Sequence, residues 1–338
     1  MTNGSVIDLV VNYFRDLGRA IVRGWDRFWF TPTDPATYSL IRILAGWMLF
    51  YTHLVWGIGL EDFFGDHAWL TPDVTEVEAS YNGSYFELIH STGLLWGIHI
   101  FALVCMACLT VGLFSRPAAI LSAFFTLQYA NRIPGATFGL DQINALLAIY
   151  LVVGPSGARY SVDRLITRWR GKPQMDVLPS VGANVGIRLI QLHMCVIYLF
   201  AGIGKSGLTW WNGEAMWLSV ASYEYQSMDM TWLANWPITL AVLTHVSVWW
   251  EMSYCVLVWP RITRPILIAL AFPLHIGIAA FMGMITFGYI MIVGNLAFVS
   301  PWLVRRVLER KQPSEAEQTA SVGNSRRNRR HQPSAVNG

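Results

Sequence analysis

Between residues 37 and 303, apolar positions do not alternate with polar ones but gather into long runs separated by short polar stretches. A helix needs roughly 20 apolar residues to cross a hydrocarbon layer. By that measure the runs predict spans near 38–58, 91–114, 117–131, 139–155, 186–206, 237–258, 265–282 and 284–302. The third and fourth are short, and the last two share one apolar run broken by Gly283 and Gly288, so about eight spans are expected, within a range of seven to nine. The predicted fold class is all-α, a polytopic transmembrane helical bundle over residues 37–303.

The two ends read differently. Arg15, Arg19, Arg23 and Arg27 recur every fourth position, while Val10, Phe14, Leu17, Ile21, Trp25 and Phe28 occupy much of the rest of the helical circumference. Residues 1–36 therefore predict an amphipathic segment, either lying on the inner leaflet near anionic headgroups or packed on cytoplasmic loops. With no long apolar core, the segment does not read as a signal peptide. Residues 304–338 are basic and poor in apolar side chains, the composition of a disordered cytoplasmic tail.

Composition sharpens this reading. At 54% hydrophobic and 13% charged, with a mean hydropathy of +0.40, the chain is excluded from the disordered class and departs from ordinary soluble domains, which are near a quarter charged. The net charge of +3 matters only through its placement. Basic residues precede the first predicted span, occupy the second, fourth and sixth connections, and number eight from Arg305 onward; connections 59–90 and 207–236 hold ten acidic residues and no Lys or Arg. Basic loops stay cytoplasmic, so both termini are expected on that side of a cell membrane, the inner membrane in a bacterium. The lipid bilayer is the expected partner, and no nucleic acid is.

Cys105, Cys108, Cys195 and Cys255 all fall within predicted spans, so the outer loops have no disulfide framework. The C-x-x-C at Cys105 lies mid-helix and reads as small apolar packing. Asn82-Gly-Ser84 fits a glycosylation triplet of the kind that also arises by chance. Both acidic connections are rich in rings, with Phe63, Phe64, Trp69, Tyr81, Tyr85 and Phe86 in one and Trp210, Trp211, Trp217, Tyr223, Tyr225 and Trp232 in the other. Such rings either anchor at the interface or roof a site.

Ionisable groups inside spans are costly and so are functional candidates by default. Counting about 1.5 Å per residue, Lys205 falls near the outer boundary, His245 and His275 near mid-membrane, Glu251 deeper, and Arg42 near the inner end, where it is expected to snorkel or pair. Lys205 follows Ala201-Gly-Ile-Gly204, and those glycines would let a helix or flat ligand approach the backbone. An amine, unlike a guanidinium, can give up its proton, so Lys205 is either a base or a snorkelling helix-end lysine. Asp141 either caps the fourth span or pairs with Lys205 or Arg132. No Cys/His spacing suggests a metal site.

Several segments together resemble a known family: Tyr38-Ser-Leu-Ile-Arg-Ile-Leu-Ala-Gly46, the Arg132-Ile-Pro turn ending Gly139-Leu-Asp141, Pro155-Ser-Gly-Ala-Arg-Tyr-Ser-Val-Asp163, and Tyr198-Leu-Phe-Ala-Gly-Ile-Gly-Lys205 followed by Trp211-Asn-Gly-Glu-Ala215. They are similar to the HTTM domain shared by vitamin K-dependent gamma-carboxylases and many bacterial membrane proteins. The resemblance implies that Lys205 is the base that deprotonates a reduced, vitamin K-like quinone in an oxygen-dependent reaction, with Asp141 and His275 as further catalytic candidates. Gly202, Gly204, Tyr198 and Trp211 would border the quinone. The carboxylases carry a second lysine where this chain has Gly204 and a histidine where it has Asp141-Gln142, and they continue into a large soluble domain where a short basic tail stands here. Two functions are therefore expected: an enzyme acting on a lipid-soluble quinone, or a non-catalytic membrane protein that assists maturation or export of a secreted peptide, either of them open to a separate soluble domain as partner.

Overall fold

The computed structural model of this 338-residue protein describes residues 6–65, 68–69, 84–173, 176–224 and 227–309. Tyr81, Tyr225, Asn82 of the glycosylation triplet and the tail from residue 310 lie outside them. The chain divides into two compact units, Met1–Val299 and Ser300–Gly338.

Among the described residues the first unit is all helical, without a strand. Its helices are α1 (Val6–Phe30), α2 (Ala36–Trp56), α3 (Leu60–Phe64), α4 (Thr92–Val111), α5 (Ser115–Arg132), α6 (Gly139–Val153), α7 (Val162–Trp169), α8 (Val181–Gly204), α9 (Leu208–Trp211), α10 (Ala215–Ala221), α11 (Pro237–Leu257), α12 (Arg264–Phe281) and α13 (Ile285–Asn295). The second unit contributes α14 (Pro301–Leu308). The first seven predicted spans coincide with helices to within a few residues, since the apolar runs end at residues that also stop helices; the eighth, 284–302, runs past the end of α13 at Asn295. Gly112 closes α4 in the left-handed conformation (φ 74°), and prolines open α11 and α12.

Among the described residues five helical stretches are long and apolar enough to cross a membrane: Ala36–Phe64, Thr92–Val111, Val181–Gly204, Pro237–Leu257 and Arg264–Phe281. A sixth is counted if Ile285–Phe298 and Pro301–Leu308 form one broken span. Gly139–Val153 is apolar but shorter, and α5 carries Arg116, Gln128, Asn131 and Arg132 among its apolar residues.

The core joins distant helices. Tyr38, Leu151, Ile190, Tyr198, Tyr254 and Ile290 meet in one apolar cluster, and Leu49, Met106, Leu109, Ala119 and Ala148 form a second between α2, α4, α5 and α6. Contact between α2 and α8 is close enough to require glycine: a Cβ on Gly186 would lie 2.5 Å from the Tyr38 ring. That ring is held in place, because its hydroxyl donates to the Tyr150 carbonyl at 2.5 Å and accepts from the Gly154 N–H at 3.1 Å.

The loop from Pro155 to Asp163 ties one end of the unit together. Arg159 donates twice, at 2.8 Å, to Asp34, whose carboxylate also accepts from the first N–H of α2. Asp163 accepts from the Phe114 and Ser115 N–H groups and the Ser115 hydroxyl, capping α5 from a distance. Arg42 does not snorkel; it pairs, the other of its two expected fates. It is fully buried and donates to the carbonyls of Ser156 (3.3 Å) and Tyr160 (2.6 Å), because the loop folds over it and turns backbone acceptors inward.

Candidate functional site

The segment after α8 builds the site. A Cβ on Gly202 would come within 2.7 Å of the Met252 side chain and 3.0 Å of its backbone nitrogen, so the absent side chain lets α8 and α11 touch. That contact levels residue 202 with residue 252, and Lys205 then meets Glu251 in an ion pair. Counting rise along each helix separately had set these two residues at different depths. The correction comes from stagger, since α11 extends well beyond the point where α8 stops.

Beyond Lys205 the chain turns back over α11. Gly213 adopts a positive φ of 87°, and a Cβ there would strike that of Ala241 at 2.6 Å, so only glycine allows this approach. Thr244 fixes the turn: its hydroxyl donates within reach of the Gly213 and Leu240 carbonyls and accepts from the Met216 N–H. As a result α9 and α10 lie over the ion pair, with Trp210 placed so that the Lys205 ammonium sits 5.1 Å from its ring centre.

Beneath this cover is a cavity of about 530 Å3. Trp210, Met216, Val220, Trp250, Leu274 and Phe281 give it apolar walls, and Lys205, Glu251, Ser219 and Ser247 supply the polar atoms. Leu243, Val246, Leu270 and Phe281 line it while also exposed on the surface of α11 and α12. Rings from the other acidic connection go elsewhere: Phe64 and Phe86 pack around Tyr129 with Trp56.

Behind the Trp250 wall runs a buried polar chain. Tyr254 donates to Asn295 Oδ1 (2.7 Å), Asn295 Nδ2 donates to the Tyr198 oxygen (2.7 Å), and Tyr198 faces His275 Nε2 (3.3 Å). His275 Nδ1 lies 2.8 Å from the Ala271 carbonyl; it must donate there, so Nε2 is the acceptor for Tyr198. Tyr198 also stacks edge-on against Trp250, ring centres 4.8 Å apart.

The nominated residues therefore separate. Lys205 lies in the cavity wall. Tyr198 and His275 bond to each other one layer behind it. Gly202 serves the contact with α11, and Gly204 faces open space, where a Cβ would meet nothing within 4 Å. Trp211 is exposed against Trp249, and the ring lining the cavity is that of its neighbour Trp210. Asp141 sits in the first turn of α6 and accepts from the Phe138 N–H at 3.1 Å, the geometry of a helix cap. Sequence reasoning noted Glu251 as a buried ionisable group but not as the partner of Lys205, and it passed over Trp250; no local pattern marks either, since helix stagger brings them to the site.

Among the described residues no group of three or more His, Cys, Asp or Glu side chains is arranged to hold a metal ion. A family model described as HTTM domain matches residues 30–302. Neither the curated proteins nor the solved structures contain a match to the chain.

Proposed function

The chain belongs to the HTTM domain family, and on that premise we propose that it is a multi-pass cell-membrane enzyme that takes a lipid-soluble, quinol-like amphiphile into the cavity beside Lys205 and removes a proton from it there. The helices from α2 to α13 that match the eight apolar runs are read as eight crossings, with the Arg-rich connections and both termini cytoplasmic.

One observation carries the reading: among the described residues a paired amine and carboxylate form the charged part of a cavity wall that is otherwise apolar but for Ser219 and Ser247. A volume of about 530 Å3 falls within the range of small-molecule sites. Flat apolar walls with polar atoms at one side fit a ring carrying hydroxyl groups and an apolar tail. Exposure of Leu243, Val246, Leu270 and Phe281 on spanning helices supports entry from the lipid. A bound quinol would supply reducing equivalents for an oxygen-dependent reaction.

The residues themselves do the following. When the quinol binds, Lys205 passes its proton to Glu251 within the ion pair, and the freed amine, which a guanidinium could not supply, takes the quinol proton. The ammonium then faces the oxygen that develops negative charge, where fixed positive charge is most effective in a water-poor site. Trp210 covers the ammonium, and Trp250, held by Tyr198, forms the flat wall.

The pairing also favours a second reading. If the amine stays protonated throughout, Lys205 is a fixed cation, and the cavity with its aromatic cover is a binding surface in a non-catalytic protein that assists a secreted peptide. Oxygen consumption by purified protein in liposomes containing a reduced menaquinone separates the two. Lys205→Ala, Lys205→Arg and Glu251→Gln are each expected to lower turnover at least about 100-fold, the usual weight of a positioned acid–base group. Full turnover by Lys205→Arg would replace the proton-acceptor role of Lys205 with that of a fixed cation, and no oxygen consumption by the unsubstituted protein would leave the non-catalytic reading.

A further inference from the structure

The end of the first unit where α2, α5 and α8 begin carries two helices that the cavity does not use. α1 is attached through its last turn: Asn184 donates to the Phe28 and Trp29 carbonyls at 2.8 Å, and the Arg188 guanidinium lies 4.4 Å over the Phe28 ring. Residues 8–27 are exposed throughout, a length of about 30 Å at 1.5 Å per residue. Along it Phe14, Leu17, Ile21 and Trp25 project on one side and Arg15, Arg19 and Arg23 on the other, with the Arg19–Asp16 pair on the polar face. α7 repeats the design in eight residues. Val162, Leu165, Ile166 and Trp169 share one arc at helical spacing, Arg168, Arg170 and Lys172 are exposed, and Trp169 is 85% exposed.

We infer that α1 and α7 dock on anionic phospholipid headgroups, with their apolar faces in the bilayer interface and their basic side chains at the phosphate layer. Three observations select that occupant. Asp163, on α7, caps the start of α5, and Thr33, just after α1, pairs with Ser180 at the start of α8, so both helices are fastened where apolar helices begin. Apolar faces with aromatic rings at such a level match the interface, where Trp is favoured. The charge is complementary as well: α1 and the stretch 162–172 hold eight basic and four acidic side chains, and the Asp163 carboxylate is already occupied by Phe114 and Ser115. The inference does not depend on what enters the Lys205 cavity.

The test uses full-length protein in nanodiscs of phosphatidylcholine alone or mixed with phosphatidylglycerol, labelled with a small fluorophore at Leu17→Cys, Leu165→Cys or Arg19→Cys. Unsubstituted protein corrects for the four native cysteines. In the anionic discs, nitroxide carried on the upper acyl chain is expected to quench positions 17 and 165 while aqueous iodide does not, and iodide should reach position 19. Each basic residue near an anionic surface contributes about fivefold, so Arg15→Gln with Arg23→Gln is expected to lower the docked-to-free ratio about 25-fold at position 17. Open iodide access at position 17 in both lipids overturns the proposal. Equal docking in both lipids overturns its headgroup selectivity, and label-to-label proximity between two copies at position 17, without lipid quenching, replaces the membrane with a second copy of this chain.

Discussion

If Lys205 and Glu251 form a pair inside the protein, removing both should cost much less than the sum of removing each. Their side chains are 20% and 11% exposed, between the limits for which magnitudes are known. Exposed pairs contribute about 0.2–1 kcal/mol, and breaking a fully buried pair costs about 3–5 kcal/mol. The pair lies in the wall of a cavity rather than in solid core, so a coupling energy of about 2–3 kcal/mol is expected, between those two limits. Lys205→Met and Glu251→Gln should each destabilise by a similar amount, because each leaves an uncompensated charge, and the double variant should recover most of the loss. Reversible unfolding in mixed micelles with increasing denaturing detergent, followed by far-UV circular dichroism, gives the four stabilities of the cycle. A coupling below about 0.5 kcal/mol, the range of surface pairs, would mean that Lys205 snorkels to solvent and that the cavity has no resident charge pair.

Other consequences are local. Gly186→Ala places a methyl group against a Tyr38 ring pinned by two hydrogen bonds and should cost about 1–3 kcal/mol in the same unfolding assay, as overpacking does; an unchanged stability would show that the ring can yield. Asp141→Ala removes the Phe138 cap and should cost about 1 kcal/mol with quinol turnover retained; lost turnover at retained stability would return Asp141 to the reaction. Tyr254→Phe breaks the first bond of the polar chain to Asn295 and should cost about 0.6 kcal/mol, the average for interhelical bonds in membranes, whereas a loss of several kcal/mol would mean that the chain acts as one cooperative unit.

The helices were legible in the chain because the signal was local. Apolar runs closed by Gly112 or opened by Pro237 and Pro265 declare their own boundaries, and α1 declares itself through arginines at every fourth position. The short helices α9 and α10 were not read, since four and seven residues on either side of Gly213 carry too little periodicity; their position depends on Gly213 meeting Ala241, a contact 28 positions apart in the chain. The same distinction separates the site residues. Lys205 stood out as a rare amine in an apolar setting. Its bond to Glu251 did not, because depth counted along one helix says nothing of stagger, which here is set by the missing side chain of Gly202 against Met252. Trp210 and Trp211 are indistinguishable as neighbours in sequence, and only the direction of the turn after α9 decides which ring faces the cavity. For a related reason the sequence left open whether Arg42 snorkels or pairs: a loop 114 residues downstream supplies its acceptors, so it has no need to reach water.

The central claim is that a lipid-dissolved molecule occupies the space between α10, α11 and α12 beside the ion pair. Photo-crosslinking in native membranes with a diazirine-bearing quinol, followed by peptide mass mapping, tests it directly. Label on the peptides containing Trp250, Leu274 and Phe281, competed by unlabelled quinol and lost when Ser247→Trp fills the cavity, is the predicted result. Label that maps instead to the rings around Tyr129, or that is indifferent to Ser247→Trp, would contradict the account.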